Sequence, residues 1–186
     1  MRYIPLVLTR NVQATAHRTV ALINVLTGDD PAAVAEVLRA HGESDPVTFS
    51  ATDITEMRAA AQQLREVFTA ADADLAAAAL NRLLGRSHGA LRLTAHGGSA
   101  PWHPHLDSDD DAPWGEWFLA SSCLALTVLL WDSQRPPGGV CASHSCRNVF
   151  LTQGSGPERR YCSRRCATRE RVAAHRRSRP DRPDGS

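Results

Sequence analysis

The 186-residue chain contains no lysine: all twenty-one of its basic residues are arginine. Two readings of that absence stand side by side. Together with the alanine runs it fits a GC-rich genome. Whatever its origin, it gives each cation a permanent charge and a planar fork suited to phosphate oxygens. Long apolar runs are missing as well. The longest, Trp117 to Trp131, has fifteen residues against the roughly 20 that a bilayer crossing needs. It reads as a buried core helix, and no membrane partner is expected. The beginning, Met1 to Leu8, has a short apolar stretch broken by Pro5, less than a secretory signal requires, so a cytoplasmic location is expected.

Cysteine is scarce and odd in number, with five in the chain. That argues against a disulfide framework, since the cytosol keeps thiols reduced and an odd count leaves one over. Cys123 sits inside the apolar run Ser122 to Leu130 and reads as a small hydrophobe. No Gly-rich phosphate loop, nucleophile elbow or His-Glu-x-x-His helix occurs, and no enzyme is expected.

What is present begins with a charge split. Residues 1–134 carry nine Arg against sixteen acids, while residues 135–186 carry twelve Arg against four, so the surface for an anionic partner is C-terminal. The composition implies a helical domain over residues 1–134 for sensing or dimerisation and a Pro/Gly linker over 135–139. A small four-cysteine unit over 140–178 and a disordered tail over 179–186 follow.

Four amphipathic helices are expected before residue 90. The first runs from Ala14 to Leu26 and stops near Gly28, and the second starts at Asp30-Pro31 and closes at Gly42. The third, Asp53 to Ala70, carries a stripe of Ile54, Met57, Ala61, Leu64 and Phe68. The fourth runs from Asp74, its capping acid, to Leu84. Beyond it, alternation around Leu91, Leu93 and Trp102 to Leu106 about Gly97-Gly98 suggests a short β-hairpin. The fold class is therefore mainly α with a small β-hairpin (α+β), followed by a treble-clef-like zinc finger ending in a basic helix.

Cys141, Cys146, Cys162 and Cys166 have the spacing C-x4-C and C-x3-C with fifteen residues between the pairs. Each close pair reaches one ion from a single backbone knuckle, and the intervening chain is long enough for a hairpin. One structural Zn2+ is expected, because four protein ligands leave no exchangeable position. An iron–sulfur cluster is the minor alternative. His144, between the first two cysteines, reads as solvated. The tail has too few apolar residues to fold alone, so metal-binding energy is expected to be its folding energy.

The last ligand opens a helix. Ser163 can cap it, and Arg164, Arg165, Arg169, Arg171, Arg176 and Arg177 spread around it, with Arg159 and Arg160 just ahead. A basic helix fits a DNA major groove and neutralises phosphates. Only Phe150 and Tyr161 lie near enough to stack bases, which favours duplex over single strands. A docking surface for an acidic protein is the competing reading.

The residues of the finger, C141ASHSC146, N148VFL151, R159RYC162 and C166ATRERVAAHRR177, resemble the bacterial family that joins an N-terminal ABATE domain to a C-terminal CGNR-type zinc finger, described as stress-induced transcription regulators. The family's Cys-Gly-Asn-Arg signature stands here as Cys166-Ala167-Thr168-Arg169. A21LINVL26 is similar to its Leu-Asp-Phe-Val-Asn-Thr segment, with Asn24 kept but Ala21 and Val25 in place of polar groups. L80NRLL84 is similar to another recurrent stretch. The resemblance implies a DNA-binding transcriptional regulator responsive to stress or a ligand, with a small-molecule effector and a homodimer as further partners. A non-catalytic protein-interaction module is the alternative.

One other constellation carries chemistry. His103 and His105 next to the Asp107 to Asp111 run make either a second metal site or an exposed polar loop, the latter being the simpler reading. His17, His41, His88 and His96 are isolated in sequence and read as surface or cap residues.

Overall fold

A computed structural model describes residues 6–86, 89–152 and 159–177, with residues 6–10 described by their backbone alone. The expected tail, 179–186, and His88 lie outside the described residues. Four helices come first, α1 (Leu6–Val25), α2 (Pro31–Ala40), α3 (Ala51–Thr69) and α4 (Ala73–Leu84). A hairpin of β1 (Arg92–Thr94) and β2 (His103–His105) leads to α5 (Trp114–Ser133). A second hairpin of β3 (Gly138–Val140) and β4 (Val149–Leu151) precedes α6 (Arg164–Arg177). Both hairpins are antiparallel, and the class is α+β dominated by helix.

The helix starts follow local chemistry. The Asp30 carboxylate accepts from the Ala32 amide at 2.9 Å, and Pro31 supplies the first helical position of α2. At α3, Ser50 Oγ accepts from the Asp53 amide at 3.1 Å while Asp53 accepts from the Ser50 amide at 2.7 Å. This reciprocal box satisfies two orphan donors and starts the helix two residues before Asp53. On α4 the capping acid is Asp72, accepting from the Leu75 amide at 2.8 Å. Asp74, expected in that role, lies in the first turn.

Helix α5 is apolar round most of its circumference, and α1, α3 and α4 all pack against it. It is long and apolar enough to cross a membrane by length and composition, yet Phe118, Cys123 and Leu126 are fully covered by the other helices. Covering a Phe or Leu side chain contributes about 1.5–3 kcal/mol each. At the α1 contact, Arg18 lies 4.2 Å over the Trp117 ring, and Thr19 hydrogen-bonds Ser122 at 2.9 Å. Burial lowers the Arg18 guanidinium to about 10, which leaves it charged at neutral pH.

The second hairpin is part of this core. Val149 and Leu151 join the same buried cluster as Leu22, Leu64 and Phe68, and β3 and β4 pack on α1 and α3. β3 begins at Gly138, inside the stretch read as a linker, and pairs Gly138 with Leu151 and Gly139 with Phe150. A Cβ at Gly138 would stand 2.0 Å from the Phe150 carbonyl oxygen, so only glycine allows this approach.

Candidate zinc centre and nucleic-acid interface

The structure brings the four C-terminal cysteines together, with all four sulfurs within 4.8 Å of one another. Cys146 and Cys162 lie 3.6 Å apart, and Cys162 and Cys166 3.7 Å. A tetrahedral zinc with bonds of ~2.3 Å holds its sulfurs about 3.8 Å apart, whereas a disulfide needs about 2.05 Å. An iron–sulfur cluster would place several atoms between the thiolates and spread them further. The donor set fits one structural zinc.

Each ligand is placed by backbone hydrogen bonds. Cys141 leaves the end of β3, where its amide donates to the Asn148 carbonyl at 2.8 Å. Cys146 ends a turn in which its amide donates to the Ser143 carbonyl at 2.9 Å, and Ala142 donates to the Arg160 carbonyl at 2.9 Å. Arg160 to Cys162 does not form a strand. Instead, Arg160 bonds the first knuckle, and the Cys162 amide donates to Cys141 Sγ at 3.4 Å. Cys166 sits in the first turn of α6, its amide donating to Ser163 Oγ at 3.2 Å.

The Ser163 hydroxyl, more than any other group, lowers the Cys166 thiol to about 7. Burial, reinforced by the neighbouring cysteines, pushes Cys162 up to about 12. Of these two thiols Cys166 gives up its proton the more readily, and Cys162 resists ionisation. A bound zinc supplies the charge that lets all four act as thiolates.

Glu170 and Arg169 were not recognised from sequence as supports of the site. Glu170, the only acid on the arginine-rich α6, accepts from Ser143 Oγ at 2.8 Å and from the His144 amide at 3.0 Å. The Ser143 bond is the main cause holding its carboxyl below the ordinary carboxylate value. Arg169 donates to Ser145 Oγ. Successive residues of α6 thus reach back to the first knuckle. A lone acid among arginines was the available signal.

The arginines divide accordingly. Arg159 donates to the Tyr161 carbonyl at 2.8 Å and to the Cys162 carbonyl, and its guanidinium lies 5.2 Å over the Phe150 ring. Arg159 and Arg169 are therefore engaged within the finger. Arg164, Arg165, Arg171, Arg176 and Arg177 are exposed on α6, and Arg160 is exposed ahead of it. Among its described residues α6 buries only Cys166. A groove of about 740 Å³ separates α1 from the finger, lined among others by Ala21 and Asn24 on one side and Arg159, Arg165 and Arg169 on the other.

Two family models match. One, ABATE, described as a putative stress-induced transcription regulator, covers residues 13–134, and the other, the CGNR zinc finger, covers residues 139–179. No curated protein matches the chain. The first match extends over more than half of the chain and the second over the cysteine cluster, and the chain belongs to the ABATE family of transcription regulators carrying a CGNR zinc finger.

Proposed function

We propose that this regulator binds duplex DNA through α6, which its zinc finger presents to the major groove. One observation carries the reading: α6 is anchored at its N-terminal turn by a zinc ligand and buries only Cys166, leaving five exposed arginines along it besides Arg169, which bonds Ser145. A 14-residue helix is about 21 Å long, enough to lie in the groove with arginines reaching phosphates on both sides. The family is described as one of transcription regulators, and a non-enzymatic role and a cytoplasmic location go with that reading. The finger units proposed are 140–178 and the helical domain 1–134, with the groove beside Ala21 as the place for a small-molecule effector and the helical domain as the place for homodimer contacts.

Fluorescence anisotropy of a labelled random duplex across a salt series tests the reading. Affinity is expected to fall by a log–log slope of roughly 0.9 for each phosphate neutralised. Absent or salt-insensitive binding overturns it. The alternative, a protein-interaction module, predicts instead an acidic protein partner whose capture survives nuclease treatment.

A further inference from the structure

The first hairpin places three histidines together, separated along the chain from the cysteine centre by α5 and β3. In the β1–β2 register Arg92 faces His105 and Thr94 faces His103. These four side chains share one face of the ribbon, while Leu93 and Pro104 occupy the other. The turn between the strands adds His96, whose φ of 47° is a left-handed conformation that costs about 1 kcal/mol for a residue with a Cβ. The Thr94 hydroxyl accepts its amide at 3.1 Å.

The result is convergence of the Nε2 atoms. His103 Nε2 lies 3.2 Å from His96 Nε2 and 3.0 Å from His105 Nε2. A tetrahedral zinc with Zn–N bonds of ~2.0–2.1 Å holds its nitrogens about 3.3 Å apart. The opposite nitrogens meet acceptors: His105 Nδ1 lies 2.8 Å from buried Asp107, His103 Nδ1 lies 2.7 Å from the Pro101 carbonyl, and His96 Nδ1 lies 3.4 Å from Asp110. Arg92 bonds both carboxylates, at 2.9 Å to Asp107 and 2.6 Å to Asp110, and Thr94 donates to Asp110 at 2.8 Å.

That arrangement sets the tautomers. A carbonyl oxygen only accepts, so His103 carries its proton on Nδ1, and the Asp107 carboxylate demands the same of His105. Their Nε2 lone pairs then face each other at 3.0 Å. A shared proton can relieve one such pair, whereas a cation at the centre satisfies all three nitrogens. Carboxylate or carbonyl support behind each ligating imidazole is the outer shell that metal-binding histidines have.

We propose that His96, His103 and His105 form a second metal site in the helical domain, binding a divalent first-row transition ion, zinc foremost, through three imidazoles. Three protein ligands leave a fourth position for water or a small anion, unlike the closed cysteine centre. His96 and His103 are partly exposed, so the ion exchanges with solvent. Asp107 is a positioning residue for His105. The site stands independently of DNA binding.

The test uses the full chain with its cysteine centre already filled by zinc. Added Co2+ is expected to bind one equivalent per chain, giving visible ligand-field bands without a thiolate charge-transfer band. His103→Ala and His96→Ala lose that equivalent, and Cys162→Ser keeps its bands. Asp107→Asn weakens Co2+ binding ~10–100-fold, with circular dichroism confirming that the helical fold persists. No stoichiometric Co2+ uptake, uptake with thiolate bands only, or uptake unchanged in both histidine variants each overturns the proposal.

Discussion

Asn24 on α1 grips both backbone groups of Val149 on β4: its Nδ2 donates to the Val149 carbonyl at 3.1 Å, and its Oδ1 accepts from the Val149 amide at 2.8 Å. A side-chain amide here replaces a neighbouring strand, closing the free edge of the β3–β4 ribbon and fastening the finger to the helical domain. Arg65 of α3 adds a bond to the Arg147 carbonyl beside it. Asn24 is also the polar residue that this chain retains in its similarity to the family's α1 segment.

Replacing Asn24 by Leu is expected to destabilise the chain by about 2–4 kcal/mol, because two buried-edge backbone groups lose their partners at once. Urea unfolding of the full chain reads this directly. Asn24→Gln cannot place both atoms at the same reach and rescues little. A change below ~0.5 kcal/mol in Asn24→Leu would show that water replaces the amide.

The arginines should separate into two classes. Arg171→Ala and Arg176→Ala are expected to weaken duplex binding and reduce the salt slope by about 0.9 each while leaving thermal stability unchanged. Arg159→Ala and Arg169→Ala instead lower the midpoint of thermal unfolding of the zinc-loaded finger, since they remove bonds to Cys162 and Ser145. Anisotropy and thermal melts on the same four variants check the division.

Gly138→Ala tests how tightly the finger is seated. The new Cβ would meet the Phe150 carbonyl at 2.0 Å and Phe68 Cδ1 at 2.9 Å. Neither backbone nor core ring can yield cheaply, so a loss of about 2–3 kcal/mol is expected, seen as a lower denaturation midpoint. Gly139→Ala meets only the Phe150 ring at 3.3 Å and is expected to cost less.

Zinc removal should act locally. Cys162→Ser is expected to release the finger's metal, with circular dichroism losing roughly the signal of α6, because that helix has no other buried anchor. The helices around α5 hold a core of their own and persist. Global unfolding on chelation would contradict this.

Cys123 is expected to resist alkylation. It is fully covered, and burial raises its thiol to about 12, leaving a thiolate fraction of roughly 10⁻⁴ at pH 8. Because the thiolate is the reactive form, raising the pH toward 12 increases reactivity, while lowering it does not. Iodoacetamide labelling at pH 8, read by mass spectrometry, should modify Cys123 only after denaturation.

That helices stand at these places could be read from the chain because their signals lie three or four residues apart, although α1 begins at Leu6 rather than at the expected Ala14, and α3 is capped by Ser50 rather than starting at Asp53. Pro31, the Ser50–Asp53 box and the Ile54 to Phe68 stripe act within one or two turns. Misplacing the α4 cap at Asp74 instead of Asp72 is the kind of error such signals allow, since two acids compete within one turn. The zinc ligands were equally legible, as each knuckle is a local spacing.

The triad of histidines was only half legible. His103 and His105 stand at the i, i+2 spacing of one strand face, but His96 comes from a turn whose path is set by Gly97, Gly98 and a left-handed backbone. Its role depends on the register that seats Thr94 opposite His103.

By itself, then, the sequence determined the helices, the cysteine centre and the excess of arginine at the C-terminal end, all consequences of short-range spacing and composition. Only the tertiary structure decided that Arg159 and Arg169 bond back to the finger while remaining exposed. It also decided that Asn24 clasps Val149 and that three histidines share a centre. The Asn24 clasp joins groups 125 residues apart in the chain, and such a meeting is set by the packing of whole elements around the core that α5 fills.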